Sequence, residues 1–175
     1  LIGNVALAVN KNIDYIKFSI KDYPGSPDGT YIVSKKDFDE NSTKQAKILK
    51  RIKGKELVGK KYKPLFNYYL NEDLENKDNL YTIQSADFVD VEEGTVIVHI
   101  APAFGEDDMN LGKEKNLPFI QHVQMDGRLK KEVKDFAGLE VKPKNNSLST
   151  DKRIVKYLKD KDLIFLEEEY THSYP

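Results

Sequence analysis

Val5, Leu7 and Val9 alternate with smaller residues, and residues 15–20 (YIKFSI) repeat the same period of two, so both stretches read as strands. Residues 23–31 (YPGSPDGTY) are dense turn chemistry, after which Tyr31, Ile32 and Val33 resume a strand. Residues 41–54 (NSTKQAKILKRIKG) fit a short helix: Ser42 or Thr43 caps it, Ala46, Leu49 and Ile52 share a face, and Gly54 ends it. Residues 81–91 and 94–102 (YTIQSADFVDV, GTVIVHIAP) give two more strands joined through Glu92, Glu93 and Gly94. Asp126-Gly127 predicts a hairpin over residues 119–133. Residues 149–163 carry the strongest helical pattern, with Thr150 as cap and Ile154, Tyr157 and Leu158 on one side. Residues 164–170 (IFLEEEY) read as a late strand. Strands dominate, helices are few and short, and no βαβ rhythm appears. The expected class is α+β, a β-rich mixed or barrel-like sheet core with a few short peripheral helices.

The stretch VIVHIAPAFGEDD, residues 96–108, departs from this ordinary pattern. Strand alternation puts Ile97, His99 and Ala101 on one face, and Val96, Val98 and Ile100 on the other. His99 then sits just before Pro102, which cannot continue a ladder. Two readings stand for it: a hydrogen-bonded structural residue, or a polar group on the wall of an apolar pocket. Beyond Gly105 the pattern turns helical, with Glu106, Asp107 and Asp108 at the helix start. Acids suit that position as caps and partners of the helix dipole. Three in a row exceed what one cap needs, so a second reading has one of them meeting a cationic ligand group.

Composition narrows the chemistry. The 175 residues carry a formal charge of −1, from 28 basic and 29 acidic side chains, and no cysteine. A thiol nucleophile, a disulfide framework and a cysteine-ligated zinc are therefore excluded. His122 and His172 have no companion at metal-ligand spacing, so no metal or other cofactor is expected. No Gly-x-Ser-x-Gly, P-loop or Gly-x-Gly-x-x-Gly occurs. Residues 44–63 concentrate nine basic side chains against one acid, which fits either a solvated face or a phosphate track. No apolar run approaches a membrane span and no leader opens the chain, so a soluble, cytoplasmic protein is expected. The chain starts directly on strand alternation and stops at a proline. It is expected to be a single domain over residues 1–175, cut from a larger protein.

Residues 92–108, EEGTVIVHIAPAFGEDD, resemble the hallmark of the editing domain inserted in isoleucyl-tRNA synthetases, whose pattern is Gly-Thr-Gly-hydrophobic-Val-His-x-Ala-Pro-Ala-Phe-Gly followed by acids. Valyl and leucyl siblings carry Pro-Ala-His-Asp there, and His99 and Phe104 side with the isoleucyl branch. LIGNVALAVN resembles the strand after that family's threonine-rich segment, which would precede Leu1. LVGKKYKPLFNYY is similar to its Gly-x-x-Tyr-x-Pro-Leu-Phe block, FAGLEV to its Phe-x-Gly-x-x-Val, and HSYP to the point where the insertion rejoins the body. Val96 stands where the family usually has glycine. Neither His-Ile-Gly-His nor Lys-Met-Ser-Lys-Ser is present, so this chain does not carry out aminoacylation.

The resemblance implies proofreading by hydrolysis. One methylene changes binding by only ~1–3 kcal/mol, a limit that isoleucyl-tRNA synthetases themselves exemplify, so valine escapes the first selection. A second, smaller sieve then cleaves valine from the tRNA. By the same resemblance Asp108 binds the substrate α-ammonium, His99 lies beside the substrate and its attacking water, and Asn4 positions for hydrolysis. Ala101, Ala103, Phe104, Gly94 and Thr95 belong to the substrate side of the pocket. The implied partners are the 3′ aminoacylated end of tRNA(Ile) and the remainder of the synthetase, with no membrane. Two other readings are a catalytically silent module that binds a tRNA end, and the editing domain of a valyl or leucyl sibling.

Overall fold

A computed structural model describes residues 1–23, 27–90 and 95–165. Six strands form two three-stranded sheets. The first sheet is mixed: β1 (Ala6–Val9) lies between β5 (Thr82–Ser85), parallel to it, and β6 (Val98–Ile100), antiparallel to it. The second is antiparallel throughout, with β2 (Asp14–Ile20) between β3 (Gly29–Ser34) and β4 (Lys47–Lys53). Three short helices accompany them: α1 (Lys35–Asn41), α2 (Glu106–Glu114) and α3 (Ser149–Lys159). The α+β class and the mixed sheet match the expectation; among the described residues the sheets do not close into a barrel.

The alanines of β1 admit close neighbours on both sides. Ala6 and Ala8 are fully buried, paired with Thr82 and Gln84 on one side and Ile100 and Val98 on the other. The main core forms around this strand from Val5, Val9, Tyr15, Leu80, Ile100 and Leu111. β2 divides by parity. Ile16, Phe18 and Ile20 pack on Phe38 of α1, while Tyr15 on the opposite face enters the main core. A third cluster gathers Phe66, Leu129, Phe136 and Leu158, with the Tyr157 ring stacked on Phe66 at 5.8 Å.

The two sheets meet at Asn10. Its side-chain oxygen accepts the Asn12 amide at 3.0 Å, turning the chain from β1 toward β2, and its amide nitrogen donates to the Val89 carbonyl at 3.2 Å. A Cβ at Gly54 would stand 2.1 Å from the Asn10 carbonyl oxygen, so only glycine lets the end of β4 pass here.

The helix expected over residues 41–54 is not formed. Lys47–Lys53 is strand β4, and the helix lies just upstream, at Lys35–Asn41. Ser34 caps that helix, its hydroxyl accepting the Asp37 amide at 3.0 Å, and Ser42 closes it rather than opening another. Pairing along β2 buries Ile52 opposite Tyr15, and a bulge leaves Leu49 exposed. That ladder outweighs a helical period resting on three apolar residues. Nor does Thr150 cap α3. Leu148 holds that position, and the Thr150 hydroxyl donates to the Glu140 carbonyl at 2.6 Å. The Asp126-Gly127 turn is present with Gly127 at φ 78°, although its arms shrink to one bridge between Val123 and Leu129. Of the late strand, Ile164 and Phe165 are irregular and the remainder lies outside the described residues.

Candidate active site

β6 ends at Ile100 and the chain turns at once, the Phe104 amide donating to the Ala101 carbonyl at 2.9 Å. Pro102 supplies no donor, which suits a residue inside this turn. α2 then starts at Glu106 with Gly105 as a cap that offers no side chain. Asp108, in the first turn, does not cap the helix either. Its carboxylate reaches back over Gly105, and Oδ2 accepts the Ala101 amide at 2.9 Å, tying the first helical turn to the strand end. Oδ1 has no hydrogen-bond partner among the described residues. Gly112, one turn on, lets the helix lie against Pro102, because a Cβ there would meet the ring at 2.9 Å.

His99 pairs with Leu7 of β1 and is exposed. Desolvation lowers its pKa, and Asp108 opposes this. The ring is therefore held neutral at pH 7, near enough to Asp108 to feel its charge. The stretch before β1 runs beside the turn, the Val5 amide donating to the Ile100 carbonyl at 2.8 Å. Asn4, 9 % exposed, is fully engaged: its amide nitrogen donates to the Ala6 carbonyl at 2.6 Å, and its oxygen accepts the Tyr62 hydroxyl.

Asn4, His99, Ala101, Ala103, Phe104 and Asp108 thus gather at one end of the first sheet. Thr95 lies apart. Its carbonyl accepts the Ser34 amide at 2.9 Å and joins the two sheets, while Gly94 is outside the described residues. Val96, the residue after Thr95, has a left-handed backbone at φ 58°, a conformation that costs a β-branched residue about 1–2 kcal/mol. Burial of its side chain, at about 1.5–3 kcal/mol, and the Tyr15 hydroxyl on its carbonyl at 2.8 Å outweigh that cost.

His122, weighed in the sequence only as a metal ligand, lies against this site. Its ring packs on Phe104, centroids 4.6 Å apart, and a Cβ at Gly3 would lie 2.7 Å from its Nδ1. Burial, helped by Lys130, lowers its pKa to about 4. Its place in the chain, outside any motif, carries no signal of this contact. A separate cleft of about 380 Å³ uses another face of α2, with Asp107, Asn110 and Glu114 opposite Lys11 and Phe88. It does not include His99 or Asp108. Among the described residues no cluster of side chains is suited to a metal, and no helix is long and apolar enough to cross a membrane.

No protein-family model matches the chain. Its whole length aligns with isoleucine–tRNA ligases: that of Clostridium kluyveri at 35 % identity over 175 residues, that of Tetrahymena thermophila at 36 % over 182, and that of Rickettsia canadensis at 38 % over 182. It spans about 15 % of the length of these relatives. Among solved structures, one described as the crystal structure of GlLeuRS-CP1 superposes with a TM-score of 0.61 at 13 % identity, covering 95 % of this chain and 79 % of that one. The motif resemblance and the alignment therefore agree. The chain is homologous over its full length to one segment of isoleucine–tRNA ligases, and it has the fold of CP1.

Proposed function

We propose that the chain is an editing domain that hydrolyses the ester of valine mistakenly attached to tRNA(Ile). The end-to-end match with isoleucine–tRNA ligases carries this reading, because the hallmark stretch falls where a carboxylate and a neutral imidazole adjoin. Asp108 receives the α-ammonium of the bound aminoacyl group through Oδ1, a charge-assisted bond. Ala101, Ala103 and Phe104 bound a pocket that takes valine and excludes the extra methylene of isoleucine. Water attacks the ester carbonyl, the bond to the ribose oxygen breaks, that oxygen takes up a proton, and valine leaves as the free acid. His99, neutral, orients the water by hydrogen bonding, and no covalent intermediate forms. Asn4 acts as a positioning residue, since its amide braces the segment beside Ala101. The chain's partners are the aminoacylated 3′ end of tRNA(Ile) and the rest of a synthetase in the cytoplasm.

Incubation with valyl-tRNA(Ile) and isoleucyl-tRNA(Ile) tests this. Selective loss of the valyl ester is expected, and Asp108→Ala should lower its rate by about 100-fold while the protein stays folded. Equal loss of both esters removes the size sieve. Loss of neither leaves a silent tRNA-end binder, and preference for another aminoacyl ester points to a sibling specificity.

A further inference from the structure

We infer that one face of the second sheet is a docking surface for the phosphodiester backbone of tRNA, away from the aminoacyl pocket. This rests on the reading that the chain acts on tRNA. Cross-strand register sorts the face into three rows. Ile52, Tyr15 and Ser34 form the first, buried against the main core. Lys50, Lys17 and Ile32 form the second, and Lys47, Ser19 and Thr30 the third, where Lys47 and Thr30 are exposed. The face thus runs from apolar core to an open surface bearing lysines and hydroxyls.

Lysines on an edge strand have an ordinary explanation, since they discourage pairing with other chains. That explains Lys47 and Lys50 on β4 but not Lys17, which lies on the central strand directly opposite Lys50. Like charges at this separation repel. Glu56 relieves Lys50 alone, at 3.0 Å, and Lys17 has no carboxylate partner among the described residues. The charge is segregated besides: nine basic side chains and one acid occupy residues 44–63 of a chain whose net charge is −1. Hydroxyls beside ammonium groups offer phosphate oxygens both charge and neutral donors. The surface continues from the face that packs on the core around β1, so an RNA lying on it stays on the site's side of the second sheet.

The test is fluorescence anisotropy with an uncharged tRNA(Ile) transcript between 50 and 200 mM salt. Each phosphate contact contributes about 0.9 to the slope of log K against log salt. The Lys17→Gln/Lys47→Gln/Lys50→Gln variant is expected to bind at least about 10-fold more weakly at 50 mM, with the slope reduced by about 2–3. The corresponding triple arginine variant should bind within about threefold of the parent, because charge is kept. Neutralising Lys131, Lys134 and Lys144 should change binding less than about twofold. Unchanged binding and slope in the first variant, or equal loss in the last, overturns the inference. Hydrolysis of a valyl-adenosine ester, too small to reach these lysines, reports on the pocket separately. Its failure in the parent removes the editing reading and leaves the salt-slope result standing.

Discussion

The two sheets meet at Asn10 yet are held together in different ways. The second is a regular ladder of long antiparallel strands, and its exposed face carries paired and unpaired charges. The first consists of strands of three or four residues, and two of the three are entered past left-handed residues, Tyr81 before β5 and Val96 before β6. Side chains supply what its short ladder lacks: Asn4 on Ala6, Tyr15 on Val96, Asp108 on Ala101. The candidate site lies in this second kind of structure. Irregular backbone at a strand end leaves amides and carboxylates pointing where a ligand can meet them, at a conformational cost the core absorbs.

Breaking the joint between the sheets should have the largest effect. Gly54→Ala forces a methyl into the Asn10 carbonyl, and the urea midpoint should fall by the equivalent of about 3 kcal/mol or more. A loss below about 1 kcal/mol would show that the sheets slide freely past one another.

Acid should then separate the two regions. His122 binds its proton less readily when folded than the usual 6.5, with a folded pKa of about 4. Above pH 6.5 it is neutral in both states and costs nothing. As pH falls from about 6.5 to about 4 the unfolded chain gains the proton first, and stability is lost across that window. His122→Gln should flatten that slope of stability against pH; an unchanged slope refutes the assignment.

Tyr15→Phe is the mildest probe. It removes the hydroxyl from the Val96 carbonyl and should cost about 1–2 kcal/mol by thermal melting. The effect should appear as faster hydrogen exchange at β6 rather than at β3. Equal acceleration in both would mean that the two sheets open together.

Much of this was legible in the sequence. β1, β2 and β3 follow the period of two, and α2 and α3 follow the helical period, because each buries one face. β4 was not legible, since its local pattern permits a helix and only β2, thirty residues away, decides against one. The site divides similarly. Three acids after a Gly-containing turn announce a helix start, but they do not say which acid folds back on Ala101. The contact of Phe104 with His122 depends on the path of a loop eighteen residues on, and composition does not reveal it.

The bond from Ala101 to Asp108 has one more consequence. A carboxylate on the surface spins about its Cβ–Cγ bond, and a cation that captures it must first arrest that rotor. In Asp108 one oxygen is already committed, so the rotor was stopped when the chain folded. Whatever meets the other oxygen finds its lone pairs in fixed directions, and the entropy of ordering this side chain is charged to folding rather than to binding.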